Sequence, residues 1–433
     1  MLSLEQCSKK KFLVFGLGVS GHATLSQLKK NKANIECWDD SKQLREKFKN
    51  KYRVNKNWFK SSYDFIVISP GINIYSHSKK LFFYKNKNKI ITDLDLFCSS
   101  IKDQKVIMVT GTNGKSTMCK LIYDLLKNSK KKVYLGGNYG TPVLDLPYKE
   151  KSAIFVLELS SYQLDYSSRL PSSVSILLNI SPDHLERHQN FSKYISAKLK
   201  IFKGLEKTGI GFLDLSSDKQ SKIFNILKSE KYNQKNIELI KKNIHHNIKD
   251  NLISSPLRGL HFKNCLYIAL QIAKLFKISK NVYLKTIKDF KGLPHRQEII
   301  KVKNNITFIN DSKATNFSST EVALNSYKNI HWILGGLAKA KDRIIVSKFK
   351  KSILRAYIIG KNINFFLKQI KSTVKHNTSH TLKNALLSAL RESKNYPSLK
   401  QVILLSPSAA SFDQYKNFEH RGNTFKQLVK KYS

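Results

Sequence analysis

Residues 109–117 read VTGTNGKST, placing two glycines, a lysine and two hydroxyls directly after the apolar run VIMV. A turn of this kind cradles phosphate. Backbone N–H groups between Gly111 and Lys115 can wrap the anion, Lys115 can meet the terminal phosphates, and Ser116 or Thr117 can ligate magnesium. The usual count, G-x-x-x-x-G-K-[ST], would need a glycine where Val109 stands. A chance match in a lysine-rich chain is the competing account, and the preceding strand-like run argues against it. A second glycine motif, Gly16-Leu17-Gly18-Val19-Ser20-Gly21, follows KFLVF, and Asp39 and Asp40 stand about 20 residues further on. Its glycines would let the backbone approach a diphosphate at a helix N-terminus. Alone, it fits a nicotinamide site, a site for another diphosphate nucleotide, or a tight strand–helix turn.

Other chemistry-bearing residues lie at or just past apolar runs. Glu158 closes AIFVLELSS, as a metal-holding carboxylate or a buried structural one. His184, in NISPDHLERH, is a candidate ligand, although a lone histidine is more often structural. Lys198, in YISAKLKIF, has a helical pattern and, by pattern alone, no role. Further on, GLPHR (292–296), INDSKATN (309–316), ILGG (333–336) and LLSPSAASFDQYKNFEHRG (404–422) follow one another. INDSKATN offers an acid, a lysine and hydroxyls suited to ribose and phosphate. SPSAASFD could seat a small carboxylate. Any one of these could be an ordinary surface loop, but four at successive strand ends argue for a site.

Strands and helices must position these groups. Short β-rich runs (KFLVFGLG, DFIVISPG, KVIMVTG, SVSILLNIS, HWILGG, RAYIIG, QVILLSPS) alternate with helical patterns, which predicts parallel sheets built from βαβ units. The 433 residues suggest two or three domains, and an apolar content of 41% is enough for packed cores. The expected division is 1–97, 98–294 and 295–433. Residues 216–251 read as an exposed helix-loop segment. No apolar run approaches the roughly 20 residues of a spanning helix, and the N-terminus lacks a small-residue cleavage site, so a cytoplasmic protein without membrane insertion is expected. Five scattered cysteines without CxxC spacing read as reduced thiols. The net charge of +47 invites a nucleic-acid reading. However, lysine far outnumbers arginine and is spread along the chain, which fits compositional drift better than a stable nucleic-acid partner.

The G-T-N-G-K-[ST] loop, with LELSSYQL, the N-x-x-x-D-H stretch, Y-x-x-A-K, GLPHR-x-E, NDSKATN and ASFDQ-x-KNFE-x-RG, resembles the Mur ligase superfamily and, within it, the D-glutamate-adding branch. The matches run from residue 11 to about 425. The resemblance implies three α/β domains: a Rossmann-like N-terminal domain for a UDP-linked substrate, a central P-loop ATPase-like parallel sheet, and a Rossmann-like C-terminal domain. It implies substrate contacts at Val19, Ser20, Asp39, Asp40, Gly71 and Asn138. ATP would be held by Gly111, Thr112, Asn113, Gly114, Lys115, Ser116 and Thr117, with Asn264, Arg296, Asp311 and Lys313. Magnesium would be held by Ser116, Glu158 and His184, and Lys198 would be carbamylated to help hold a second ion. Lys115, His184 and Lys198 would thus be the catalytic set, and Thr315, Lys339, Ser411, Phe412 and Phe418 would seat D-glutamate. The implied reaction of this monomer activates the carboxylate of UDP-N-acetylmuramoyl-L-alanine as an acyl phosphate, which D-glutamate then attacks. The sequence departs from the family pattern at His261-Phe262-Lys263-Asn264, one residue short, and at Leu337, where an acid is usual. Another Mur ligase, a folylpolyglutamate synthase and a basic nucleic-acid-associated ATPase are the competing readings.

Overall fold

The computed structural model describes residues 2–168, 170–215, 220–229, 236–240, 257, 262–338 and 342–433. The apolar runs form the strands of three sheets. The first holds β1 (Lys11–Phe15), β2 (Asn34–Trp38), β3 (Arg53–Val54), β4 (Phe65–Ile68) and β5 (Ile90–Ile91), in the order β3-β2-β1-β4-β5. The second holds β6 (Lys105–Thr110), β7 (Val133–Gly137), β8 (Ile154–Glu158), β9 (Ser172–Leu177), β10 (Leu205–Asp214) and β11 (Ile237–Ile240), in the order β11-β10-β9-β6-β8-β7. The third holds β12 (Glu298–Lys303), β13 (Ile306–Asn310), β14 (Ile330–Gly335), β15 (Ile353–Ile359), β16 (His376–His380) and β17 (Gln401–Leu405), ordered β12-β13-β17-β14-β15-β16. Strand β12 pairs antiparallel with β13. The other pairs among the described residues are parallel, so the expected α/β class with parallel sheets is what the chain forms. Val106 to Val109 are all buried, as continuous apolar strands covered on both faces must be.

The chain divides into two compact units. Residues 1–246 with 264–286 carry the first two sheets, and residues 247–263 with 287–433 carry the third. In the first unit, β1 lies between β2 and β4, and β6 between β9 and β8. The strand order reverses at these central strands, and crevices open there beyond the strand ends. Both glycine motifs leave from them. Phe97 sets its ring edge on Phe155 of β8, with centroids 5.1 Å apart, inside one continuous apolar core. In the second unit, separate apolar clusters cover the two faces of the third sheet, and the indole of buried Trp332 donates to Ser406 O at 2.8 Å.

One expectation needs correction. Within 216–251 the described residues include a helix, Gln220–Ser229, that buries Ile223 and Leu227, and Ile237–Ile240 is a strand paired with β10. An edge strand of four residues has too few side chains to show an alternating pattern among lysines and asparagines. Among the described residues, no helix is long and apolar enough to cross a membrane.

Candidate functional site

At the end of β6 the chain turns through Gly111 (φ +155°) and Gly114 (φ +81°) into the helix Lys115–Asn128. Gly114 is the N-cap and has no side chain to cap the first turn, and a helix N-terminus of this kind favours an anion. The loop is braced from outside. Asn179 accepts from Thr112 N (2.8 Å) and, through its side chain, from Asn113 N (2.9 Å), and it donates to Asn113 O (3.1 Å). The Thr112 hydroxyl accepts from Ser181 N and meets the Tyr194 hydroxyl, each at 3.0 Å. Lys115 Nζ curls back to donate to Gly111 O and Thr112 O, both at 2.9 Å.

Parallel pairing places Glu158, on β8, opposite Val109, on β6. Its buried carboxylate accepts from the Ser116 hydroxyl on one oxygen and from Asn138 Nδ2 on the other, at 2.7 Å. Ser116, Glu158 and Asn138 therefore form one contact group at the head of the phosphate loop. A hydroxyl and a carboxylate are hard oxygen donors, which fits a magnesium ion that takes its remaining ligands from phosphate and water. Among the described residues, no group of three or more His, Cys, Asp or Glu could hold a metal by itself.

Lys198 is buried under the same loop. Its Nζ donates to Gly111 O (2.8 Å) and Thr110 Oγ1 (3.3 Å) and stands 4.9 Å from the Tyr194 ring centre. Burial, and after it the charge of Lys115, drives its pKa well below that of an ordinary lysine. Nothing in its sequence pattern distinguishes it from the solvated lysines, and only packing does so.

His184 is the N-cap of the short helix Leu185–His188 and holds a left-handed φ of +54°. A non-glycine residue there costs roughly 1 kcal/mol and persists only where its surroundings hold it. Tyr162 OH pairs with its Nδ1 at 2.9 Å, and the Asp183 carboxylate lies 3.5 Å from its Nε2.

A cavity of about 550 Å³ opens over the first glycine motif. Val19, Ser20, Asp39, Gly71 and Asn138 all line it, with Gln163 and Ile72. Asp40 does not line it. Its carboxylate instead takes the Trp38 indole N–H (3.2 Å) and meets His77 Nε2 (3.1 Å). The Asp39 carboxylate accepts from Leu17 N (2.7 Å) and Ser41 N (2.8 Å), so it holds the glycine turn closed. A Cβ on Gly21 would sit 1.9 Å from Gly16 O, whereas one on Gly18 would meet open space. Gly21 therefore serves close packing and Gly18 serves access. Gln163 was not anticipated, although Ser160 and Gln163 have capping-box spacing and form that box.

In the second unit, Asp311 follows β13 with its carboxylate fully enclosed. It accepts from the Ser406 hydroxyl (2.7 Å) and Gln297 N (3.2 Å), and the Arg296 charge bears on it. Lys313 Nζ lies 3.8 Å from the Phe418 ring centre. Arg421, buried, donates to Ser312 Oγ (3.0 Å), Ser312 O (2.9 Å) and Ala409 O (3.0 Å), and so ties the 309–316 loop to the 406–412 loop. Ser411 is buried and Phe412 is 70% exposed, while Thr315, half-buried, precedes the helix Phe317–Ser326. Leu337 bridges to Ala410 through backbone hydrogen bonds, which do not depend on its side chain. Lys339 and His261 lie outside the described residues. Asn264, in the first unit, donates to Asp214 at 2.9 Å.

Burial pushes the Asp311 carboxyl up to about 7. A raised pKa in the folded state means that its stabilising contribution is full below the unfolded carboxylate value and is lost as pH rises through 7. Urea unfolding at pH 5 and pH 8 should show that Asp311→Asn loses about 2–3 kcal/mol less than the parent over that interval. Equal losses would mean that Asp311 is ionised throughout.

The Mur ligase middle domain profile matches residues 109–273. The UDP-N-acetylmuramoylalanine--D-glutamate ligase of Rickettsia prowazekii (strain Madrid E) is 34% identical over 446 residues, covering 98% of each chain. That of Rickettsia felis is 35% identical, again over 98% of each. The ligase of the same name from Wolbachia pipientis wMel is 33% identical over 98% of this chain and 97% of its own. Among solved structures, MurF from Acinetobacter baumannii superposes with a TM-score of 0.61 at 14% identity, covering 99% of this chain and 93% of that one. MurF ligase from Thermotoga maritima in complex with ADP gives 0.59 at 15% identity, covering 100% and 98%. At these identities the two structures speak for the fold.

Proposed function

The chain belongs to the Mur ligase family of ATP-dependent ligases of peptidoglycan synthesis, and from that premise we propose that it joins D-glutamate to UDP-N-acetylmuramoyl-L-alanine. One observation carries the reading. Asn138 lines the cavity over the first glycine motif and also donates to Glu158, which accepts from Ser116 of the phosphate loop. A UDP-linked acid in that cavity and a nucleotide on that loop would share one side chain between them, which is what transfer from ATP to a carboxylate requires.

In this reading the loop from Gly111 to Thr117 binds the ATP phosphates, and Lys115 exchanges its loop carbonyls for phosphate oxygens. The substrate carboxylate attacks the γ-phosphorus, the bond to the ADP oxygen breaks, and an acyl phosphate forms. The D-glutamate amine then attacks the acyl carbon, phosphate leaves, and the amine's proton passes to solvent. Ser116 and Glu158 would hold one magnesium ion, and His184 and a carbamate on Lys198 a second. Bound there, magnesium would neutralise charge on the transferring phosphoryl group. Val19, Ser20, Gly71 and Asn138 would contact the UDP substrate. Asp39 would act through the glycine turn, and Asp40 would reach the uridine side only by leaving His77. Asn264, Arg296, Asp311 and Lys313 would contact the nucleotide, and Thr315, Lys339, Ser411, Phe412 and Phe418 the amino acid. The domains are proposed as 1–97, 98–294 and 295–433. The enzyme would act as a cytoplasmic monomer without a nucleic-acid partner.

Magnesium-dependent phosphate release should require both UDP-N-acetylmuramoyl-L-alanine and D-glutamate. L-glutamate, L-alanine, meso-diaminopimelate and D-alanyl-D-alanine should each support less than about a hundredth of the rate, because a site built for one polar substrate leaves its groups unpaired with another. Release stimulated by DNA or RNA and indifferent to the amino acid would overturn the assignment.

A further inference from the structure

Arg187 stands apart from every group assigned above. It is 8% exposed, and its guanidinium donates to Ile72 O at 2.8 Å and to the Tyr166 hydroxyl. That hydroxyl donates in turn to Ile72 O (2.8 Å) and accepts from Ile74 N (3.1 Å), so the three residues close a hydrogen-bonded knot. The guanidinium carbon also lies 5.1 Å from the Tyr162 ring centre and 4.9 Å from that of Tyr166. Its hydrogen-bond acceptors are neutral, and its Nε is buried with no hydrogen-bond partner among the described residues. Enclosing a cation on such terms is costly, so a merely structural filler is a poor account of it.

The ends of the knot reach two different places. Ile72 lines the cavity over the first glycine motif, and Gln163 of that cavity is the chain neighbour of Tyr162. At the other end, Arg187 lies three residues after His184, in the four-residue helix that His184 caps, and Arg187 N donates to His184 O at 3.1 Å. The Tyr162 ring over which Arg187 sits carries the hydroxyl paired with His184 Nδ1. One planar guanidinium thus joins the wall of that cavity to the segment presenting His184.

We propose that Arg187 is a positioning residue that couples the two halves of the first unit's site, so that filling the nucleotide–magnesium side tightens binding of the UDP-linked substrate, and the reverse. The inference rests on the substrate reading above. A Mg²⁺-nucleotide that orders the 183–188 segment pulls through the guanidinium on Ile72, and the cavity wall is then already set when the second ligand arrives. Reciprocity follows from linkage: whatever factor the nucleotide applies to binding of the UDP substrate, the substrate applies to binding of the nucleotide.

Calorimetric titration of the full-length chain with UDP-N-acetylmuramoyl-L-alanine, with and without magnesium and a non-hydrolysable ATP analogue, tests this. In the parent, nucleotide should tighten binding at least about fivefold, the lower end of usual site-to-site coupling. In Arg187→Met, and in Tyr166→Phe, which keeps the ring and removes only the hydroxyl at the knot's centre, the factor should fall below about two, with each ligand still binding by itself. A general loss of packing would weaken both ligands without changing their ratio. Retention of the parent's factor in Tyr166→Phe would overturn the proposal even if Arg187→Met failed to fold, and so would the absence of any coupling in the parent. A parent chain that does not bind the UDP substrate at all would overturn the substrate assignment, and this inference with it.

Discussion

Lys198→Ala is expected to lower D-glutamate-dependent phosphate release by about 10²–10³-fold or more, the range found when one preorganised group at a charge-developing centre is removed. Added formate or acetate should restore part of the loss. Two lysines donate to one carbonyl: Lys115 and Lys198 both reach Gly111 O. Burial disfavours the Lys198 ammonium first, and the nearby Lys115 charge adds repulsion, so its pKa lies well below that of an ordinary lysine and the neutral amine is favoured. A neutral amine can attack carbon dioxide. The N–C bond forms, one C=O pair moves onto oxygen, and a proton leaves to solvent, so a buried cation becomes an anion. Its remaining N–H can still serve Gly111 O, and repulsion by Lys115 becomes attraction. The alanine variant leaves a space that a small carboxylate can enter. Parent enzyme stripped of carbon dioxide should also lose rate and regain it with bicarbonate. Full activity in the alanine variant, or indifference of the parent to carbon dioxide, would remove the carbamate from the mechanism.

Glu158→Gln should lower kcat by about 10²-fold or more and raise the magnesium concentration for half-maximal rate about tenfold, as expected when one charged ligand is lost from a site that phosphate and water complete. The substitution keeps the shape and an acceptor for the Ser116 hydroxyl, so the strand and the loop should stay in place and the melting temperature should change little. It removes the charge, and only one of its two ends accepts where both carboxylate oxygens do. A variant with normal magnesium dependence and a lowered melting temperature would make Glu158 a structural brace for Asn138 and not a ligand.

Much of the site was legible from local pattern. The glycine turns, the lysine and hydroxyls after VIMV, and the strands themselves depend on interactions within a few residues, and they stand where the spacing put them. The family resemblance supplied roles that spacing could not. Asp39 and Asp40 show where spacing stops: both fit the acidic position of a glycine motif, yet one closes the turn and the other faces His77. Which aspartate takes which partner is set by β2 lying against β1 and by the segment that follows β4, and a single stretch of sequence does not contain that information.

The sequence by itself determined the α/β class, the two glycine turns and the residue types around them, because backbone geometry and apolar periodicity are short-range properties. Only the tertiary structure separated Lys198 from its many solvated counterparts, joined Asn138 to both the cavity and Glu158, and enclosed Arg187 against Ile72. The physical reason is distance along the chain. Lys198 meets Thr110 across 88 positions and Arg187 meets Ile72 across 115, so burial and charge at these residues depend on how separate elements pack, and no local pattern records it.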